Sequence, residues 1–368
     1  MPKKLVLIGA GHAHMLTMQN LQHFTERGHQ VTVIGPSEHH YYSGMGPGML
    51  GKTYRPEEIR FAVKKMTATR GGDFVKGKAE RIDPVRKRIH LDDGQEIPYD
   101  IVSCNAGSFV PGLEGLAEAD DIFTVKPIER LQQAQKKIIQ LGESGAGRIA
   151  IVGGGASAIE VTGNIATLLS KHGFRGIEIQ IFAGQGLMSR FPAWIGQHAE
   201  RSLTARGVNI QNGDYVTGMS NGEITLESGA AYPADLIFLA RGVNPSRIFA
   251  VSNLPTGPDG GLLVNQYLQS PDYPEIFGGG DCIYFQNQPL DKVGVYAVRQ
   301  NPVLYNNLLA ALDGQALQPF DPGGNYLLIF NLGDDTGILS KGIWRLTGKL
   351  AFKIKDYIDR KFMREFQE

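Results

Sequence analysis

Apolar residues along this chain come in short unbroken runs set apart by glycine, and twice such a run leads through a glycine turn into apolar residues at helical spacing. The run at 4–8 reads as a fully buried parallel strand, 13–27 as a helix and 30–34 as a second strand. The pattern returns near residue 148, with a strand at 148–152, a helix at 156–172 and a strand at 177–182. Each copy is followed by short antiparallel strands: 74–82, 88–91 and 96–97 with a turn at Asp92-Asp93-Gly94 in the first, and 222–226 with a turn at Glu227-Ser228-Gly229 in the second. Apolar runs at 99–103 and 234–240 close the two copies. A helix at about 128–141 runs into Gly142-Glu143-Ser144-Gly145-Ala146-Gly147, a glycine-rich linker, which puts the first domain boundary just ahead of that helix.

At 368 residues the chain is too long for one ordinary core and predicts two or three domains. Lysine plus arginine equals aspartate plus glutamate at 37 each, so no global field favours nucleic acid or an anionic membrane, and such a partner would need a local patch. Two cysteines, Cys104 and Cys282, lie far apart and form neither a disulfide framework nor a metal-ligand spacing. No metal is expected, and a reducing, cytoplasmic setting fits. The apolar run at 5–8 after Met1-Pro2-Lys3-Lys4 is too short for a signal peptide or a membrane span, so export is not expected.

Gly9-Ala10-Gly11-His12-Ala13-His14 follows a strand and opens a helix, where a glycine turn lets backbone amides and the helix N-terminus meet a pyrophosphate. Gly9, Gly11, His12 and Ala13 are the candidate contacts. His14 stands where a third glycine is usual, and Gly35-Pro36-Ser37 lacks the usual acid, leaving Ser37 or Glu38 for a ribose. His12 and His14 either occupy the first helical turn or touch the cofactor directly. Gly153-Gly154-Gly155-Ala156-Ser157-Ala158 repeats the arrangement, with Gly153, Gly155, Ala156 and Ser157 as candidates. Its second strand ends at Phe182-Ala183-Gly184, with neither an acid to select NADH nor an adjacent arginine for NADPH, and Glu178 sits at the wrong end of that strand. Glu160 lies one turn inside the second helix, close enough to reach a nicotinamide or its ribose, although acids are common near helix N-termini for the dipole alone. The expected fold class is α/β, with two Rossmann-like domains.

These pieces, in this order, resemble the two-dinucleotide-binding flavoproteins of the pyridine nucleotide disulfide oxidoreductase superfamily. Two more segments carry the resemblance: 99–108, similar to the strand and turn that closes over FAD, with Ala106 and Gly107 in the turn, and Gly279-Gly280-Asp281-Cys282, similar to the late segment whose aspartate binds the ribityl chain. The resemblance implies that the second domain is inserted in the first: 1–125 and 255–325 bind FAD, 126–254 binds NADH or NADPH, and 326–368 forms a short C-terminal segment with an amphipathic helix. The likeness is strongest to type II NADH:quinone oxidoreductases and to the flavoprotein domain fused to selenide, water dikinase. Four stretches carry it: Gly11-His12-Ala13-His14, Tyr42-Ser43-Gly44-Met45-Gly46-Pro47-Gly48, Val295-Tyr296-Ala297-Val298-Arg299-Gln300 and Ile358-Asp359-Arg360-Lys361-Phe362-Met363. By that likeness Tyr42, Ser43, Gly44 and Pro47 lie beside the isoalloxazine, Tyr296 and Ala297 lie at its pyrimidine end, and Ala79 and Gly242 join the dinucleotide contacts. The family's two quinone-contacting glutamines fall on Val295 and Arg299, while Gln300 remains beside them.

No cysteine occurs in 37–51 and none accompanies Cys282, so a dithiol relay is not expected and electrons would leave reduced FAD directly. The expected activity is hydride transfer from NAD(P)H to FAD, then electron transfer to a quinone or other small acceptor, with Glu160, Pro47 and Gln300 as candidate catalytic residues. A sulfide- or selenium-linked oxidoreductase and a FAD-binding sensor or assembly protein with a degenerate second site are the alternatives.

In the tail, Leu350, Ile354, Ile358, Phe362 and Phe366 recur every four residues, with Tyr357 and Met363 alongside. Lys353, Lys355, Arg360, Lys361 and Arg364 outnumber Asp356, Asp359 and Glu365 on the other side. Two coverings are open for this apolar face across 349–366: a lipid interface, which would place the protein peripherally on the inner membrane, or the protein's own core or a second subunit in a homodimer.

Overall fold

Runs such as Leu5 to Ile8, Ile149 to Val152 and Leu236 to Leu239 are buried at every position, which a strand achieves only in the middle of a parallel sheet covered on both faces. The computed structural model describes residues 1–112, 120–220 and 222–367. One five-stranded parallel sheet runs in the order Ile276–Gly278, Ile101–Cys104, Lys4–Ile8, Gln30–Gly35, Asp73–Lys76. A second runs Ile122–Thr124, Leu236–Leu239, Gly147–Val152, Ile177–Ala183, Val208–Asn212. Ile276–Gly278 returns to the first sheet after the whole second sheet has been built, which is the topology of an insertion. Ile122–Thr124 already pairs with Leu236–Leu239, so the chain enters the second sheet slightly before the expected boundary at 126.

Two expected elements differ. The helix read at 13–27 is a 3₁₀ turn His12–His14 followed by Met15–Gln19 and Gln22–Thr25. Asn20 breaks it, because its side-chain amide donates to the Leu16 carbonyl at 2.9 Å and competes with the helical ladder. The strand read at 74–82 is two strands: Asp73–Lys76 stays in the parallel sheet, and Ala79–Asp83 begins an antiparallel sheet with Arg88–Leu91 and Glu96–Pro98. The second helix forms as read, Ala156–His172, and ends on Gly173 at φ +72°.

The C-terminal segment is an antiparallel sheet of Leu328–Gly333, Thr336–Lys341 and Trp344–Gly348, followed by the helix Lys349–Gln367. Its first strand crosses Ala156–His172 at Gly163, where a Cβ would be driven into the Leu332 carbonyl, so glycine sets the close approach. The final helix has two working faces. Ala351, Phe352, Met363 and Phe366 are buried against the protein, while Leu350, Tyr357 and Ile358 are exposed. Among the described residues no helix is long and apolar enough to cross a membrane.

Candidate functional site

The first cradle forms where the parallel strands end. Gly9 follows Ile8 at φ +84°, and a Cβ there would run into the Asn105 carbonyl. The next turn, at Gly11, is extended and has no side-chain cap, leaving the helix entrance open to a ligand. Asn105 Nδ2 is buried without a hydrogen-bond partner, and the Asn105 side chain sits between Gly11 and Gly280, within 2.7 Å of where each glycine's Cβ would be. A buried amide donor left unpaired costs about 1–3 kcal/mol, so a ligand oxygen that accepts from it is favoured. These features fit a dinucleotide pyrophosphate.

Asp281 closes the cradle. Its Oδ2 accepts from Lys126 Nζ at 2.6 Å and from Ser108 Oγ at 3.1 Å. Burial alone would raise the Asp281 carboxyl, and the Lys126 ammonium outweighs it and holds the group below the usual carboxylate range. Gln300 is fully buried and its Oε1 accepts from the Gly280 amide at 2.7 Å. It therefore holds the Gly280-Asp281 loop in place. Ala297 lies against the same glycine. Arg299 donates to the carbonyls of Pro322 and Gly324, and Tyr296 packs edge-on to Tyr326 at 5.4 Å.

His14 explains how the turn tolerates a bulky third position. It is fully buried, with Nδ1 2.7 Å from the Gly9 carbonyl and Nε2 2.8 Å from Ser103 Oγ. A carbonyl only accepts, so Nδ1 carries the proton and Nε2 accepts from the serine. The imidazole thus ties the glycine turn to the neighbouring strand, doing by hydrogen bonds what a small residue does by close packing.

His12 stacks on Phe362 at 5.5 Å and lies 5.1 Å from the Tyr42 ring, with His40 at 6.2 Å. Burial lowers His12 and His14 to about 4 and His40 to about 3. All three sit below their unfolded value of 6.5, so the stability they contribute is complete above that pH and is lost as pH falls toward about 4. The melting temperature is expected to be level between pH 7 and 8 and to fall below 6, as at most about 1.4 kcal/mol of unfolding free energy is lost per pH unit for each histidine. A melting curve unchanged down to pH 5 would exclude neutral, buried imidazoles.

The second cradle repeats the first with fewer substitutions. Gly153 is at φ +130° against the Ala240 carbonyl, and Gly155 caps the 17-residue helix Ala156–His172 with no side chain and nothing within 4 Å of where a Cβ would be. Gly242, at φ +94°, is equally open. Ala156 and Ser157 form the first helical turn, partly exposed. The open helix entrance again suits a pyrophosphate.

Between the cradles lies a polar cluster that sequence alone did not assemble. Glu160 Oε1 accepts from the Asn331 amide at 2.8 Å. Lys355 Nζ donates to the Gly44 carbonyl at 2.7 Å and to Asp359 Oδ2 at 2.6 Å, and Tyr42 donates to Asp359 Oδ1 at 2.9 Å. Burial pushes the Glu160 carboxyl up to about 7 despite the opposing Lys355 ammonium. Burial also works against the charged form of Lys355, and the Asp359 and Glu160 carboxylates outweigh it. The cluster joins the second domain's helix, the C-terminal helix and the Tyr42–Gly44 loop.

The remaining expected residues divide by position. Ser43 and Gly44 lie on that loop, and Pro47 is buried in the short helix Gly46–Leu50. Ala106 and Gly107 follow Asn105, with Gly107 at φ +69°. Ser37 accepts from the His39 amide at 3.2 Å, while Glu38 turns outward to Lys64 at 2.7 Å. Beside Pro36, residues Lys76, Gly77 and Lys78 line a cavity of about 320 Å³, with Ala79 next in the chain. Both cysteines are buried; burial pushes Cys104 well above its ordinary value and Cys282 up to about 12, so neither offers a thiolate. Lys126, His40 and Lys355 were not singled out from the sequence for this site, since no local motif marks them, and Asn105 and Asp359 lay inside matching stretches without being given a role.

Comparisons with known proteins agree with this fold. Over 367 residues the chain is 24% identical to demethylphylloquinone reductase NdbB of Synechocystis sp., covering 95% of this chain and 89% of that protein. It is 24% identical over 349 residues to the type II NADH:quinone oxidoreductase of Staphylococcus saprophyticus, covering 87% and 85%. The NDH2 structure from Plasmodium falciparum in complex with NADH superposes with a TM-score of 0.84 at 14% identity, covering 99% of this chain and 98% of that one, which speaks for the fold. The sequence profile of the pyridine nucleotide-disulphide oxidoreductase family matches residues 3–302, and the chain belongs to that family.

Proposed function

We propose that this protein is a FAD-dependent NAD(P)H:quinone oxidoreductase that works without a cysteine relay. The observation that carries the reading is the cluster of half-buried Glu160 with buried Lys355 and Asp359, set between two uncapped glycine cradles and bonded to the Tyr42–Gly44 loop. Gly9, Gly11, His12, Ala13, Ala106, Gly107 and Asp281 hold FAD, and Gly153, Gly155, Ala156, Ser157 and Gly242 hold the nicotinamide dinucleotide. FAD bound there supplies the hydride acceptor for the nicotinamide and the electron donor for the quinone. Lys355 fixes the backbone of the flavin loop, Asp359 holds Lys355 and Tyr42 in register, and Glu160 holds a proton below about pH 7 near the place where a quinone must be protonated. The names of the relatives support quinone as the acceptor. The test is anaerobic mixing: NADH or NADPH should bleach the flavin, and a water-soluble quinone should restore its colour. Bleaching by sulfide but by neither nicotinamide would favour the sulfur-linked alternative.

The same reading places the protein peripherally on the inner face of a membrane. Ile343 and Trp344 stand 90% and 73% exposed at a hairpin tip between the exposed Lys341 and Arg345. Leu350, Tyr357 and Ile358 extend the apolar surface, with Lys349, Lys353, Lys361 and Arg364 exposed around it. Aromatic and aliphatic side chains ringed by cations match an anionic lipid interface. The protein is expected to sediment with vesicles containing phosphatidylglycerol and not with neutral vesicles, and Trp344→Glu should abolish this. A dimer in solution that Trp344→Glu splits, with vesicle binding absent throughout, would instead make this face a contact between two subunits.

A further inference from the structure

We infer that residues 321–327 form a strap that governs access of the electron acceptor, with Arg299 as its latch. The inference rests on the quinone reading above and deepens it. The strap has fixed ends and a lightly held middle. At one end the Phe320 amide donates to the Gln266 carbonyl at 2.7 Å, and the buried Phe320 ring packs edge-on to Phe285 at 5.4 Å. At the other, Leu328 enters the antiparallel sheet opposite Ser340. Between them, among the described residues, no amide or carbonyl of 321–327 bonds to another backbone group. Side chains do the fastening instead. Arg299 Nη1 donates to the Pro322 and Gly324 carbonyls, the second at 3.1 Å, and a Cβ at Gly323 would stand 3.0 Å from the same nitrogen. Tyr326 rests edge-on against Tyr296 at 5.4 Å and donates its hydroxyl to Asp291 Oδ2 at 3.3 Å. A segment anchored at both ends and tied down by two side chains can open without either domain unfolding.

The seat of the strap puts it beside the flavin cradle. Tyr296 and Arg299 belong to the first two turns of the helix Gly294–Asp313, and the inner face of those turns packs on the cradle itself. There Gln300 accepts from the Gly280 amide at 2.7 Å, and the Ala297 methyl group lies 3.7 Å from where a Cβ at Gly280 would be. The strand into which the strap leads, Leu328–Gly333, belongs to the facing wall. Its Asn331 amide donates to Glu160 at 2.8 Å, and the Asn331 side chain lies against Gly48, next to Pro47. The strap therefore runs from the helix on the FAD side to the strand that holds Glu160. The nicotinamide arrives from the second cradle. An acceptor that must reach both the flavin and Glu160 then enters between these two walls, across which the strap is drawn. Only the fold makes Arg299 a latch, since its carbonyl partners lie 23 and 25 residues further along the chain.

Hydrogen bonds from a charged donor are strong enough that losing this pair should raise the open fraction of the strap by about 10-fold. Hydrogen exchange on the FAD-loaded protein is expected to show the strap amides exchanging about 10-fold faster in Arg299→Gln. Reoxidation of the reduced flavin, followed by stopped flow, reads access. The rate with a ubiquinone carrying a decyl chain, divided by the rate with the small p-benzoquinone, should rise by about 10-fold in the same variant. Arg299→Lys keeps a cation without the planar fork and should fall between. Tyr326→Ala releases the other fastening and should shift exchange and ratio in the same direction, which keeps the test open if Arg299→Gln folds poorly. Flavin reduction by NADH should change in neither. Faster exchange with an unchanged ratio would overturn the inference, because the strap would open and control nothing. Unchanged exchange would overturn it at the latch. If neither quinone reoxidises the flavin of the unaltered protein, the acceptor reading fails and the inference with it.

Discussion

Protein carrying Gly9→Ala is expected to purify without flavin colour and to need at least about 100-fold more FAD for reconstitution. The position adopts φ +84°, which L-residues disfavour, and the added methyl group would meet the Asn105 carbonyl, whose chain neighbours line the cradle. Backbone strain and the forced retreat of Asn105 together cost on the order of 3 kcal/mol, and every 1.4 kcal/mol is a tenfold loss of affinity. Gly155→Ala is the control. Nothing lies within 4 Å of a Cβ at Gly155, so that variant should fold, keep its FAD and lose affinity only for the nicotinamide dinucleotide. The ratio of flavin to protein absorbance reads both outcomes. Full flavin content in Gly9→Ala would mean that the cofactor does not sit on this turn.

Lys355→Met should be the most destabilising single change in the site, by about 3–5 kcal/mol, because it leaves the Asp359 carboxylate buried without its cation. Adding Asp359→Asn should recover much of that loss, since the orphaned charge goes with it, and chemical denaturation would measure both. Glu160→Gln separates stability from chemistry. With the carboxyl raised to about 7, its protonated form dominates at lower pH and disappears above it. Quinone turnover in the unaltered protein should therefore decline as pH rises through about 7, while Glu160→Gln should be slower and lack that decline. Flavin reduction by the nicotinamide, followed separately, should be much less affected. A pH profile that Glu160→Gln leaves unchanged would remove Glu160 from proton delivery and leave it as the anchor of the Asn331 amide.

Some of these residues were legible and others were not, for a physical reason. The glycines at 9, 11, 153 and 155 announce themselves because a tight strand-to-helix turn has local requirements: positive φ, or no room for a Cβ. The helix Ala156–His172 could be read to the residue, since apolar periodicity and a left-handed glycine stop are properties of one segment. By contrast, His14 was recognised only as a departure from pattern. Its compensation, two hydrogen bonds to Gly9 and Ser103, depends on a strand 89 residues away. Gln300 was named from a pattern in its neighbours, and its bond to the Gly280 amide, across 20 residues, came only from the fold.

By itself, then, the order of residues determined two α/β units and two glycine cradles, because each of these is specified by neighbours along the chain. Tertiary structure alone decided which way the long polar side chains point. It set Lys126 on Asp281, Lys355 on Gly44 and Glu160 against Asn331. A buried charge or an amide takes its partner from whatever the fold brings within about 3 Å, and that distance is settled by packing among segments far apart in sequence.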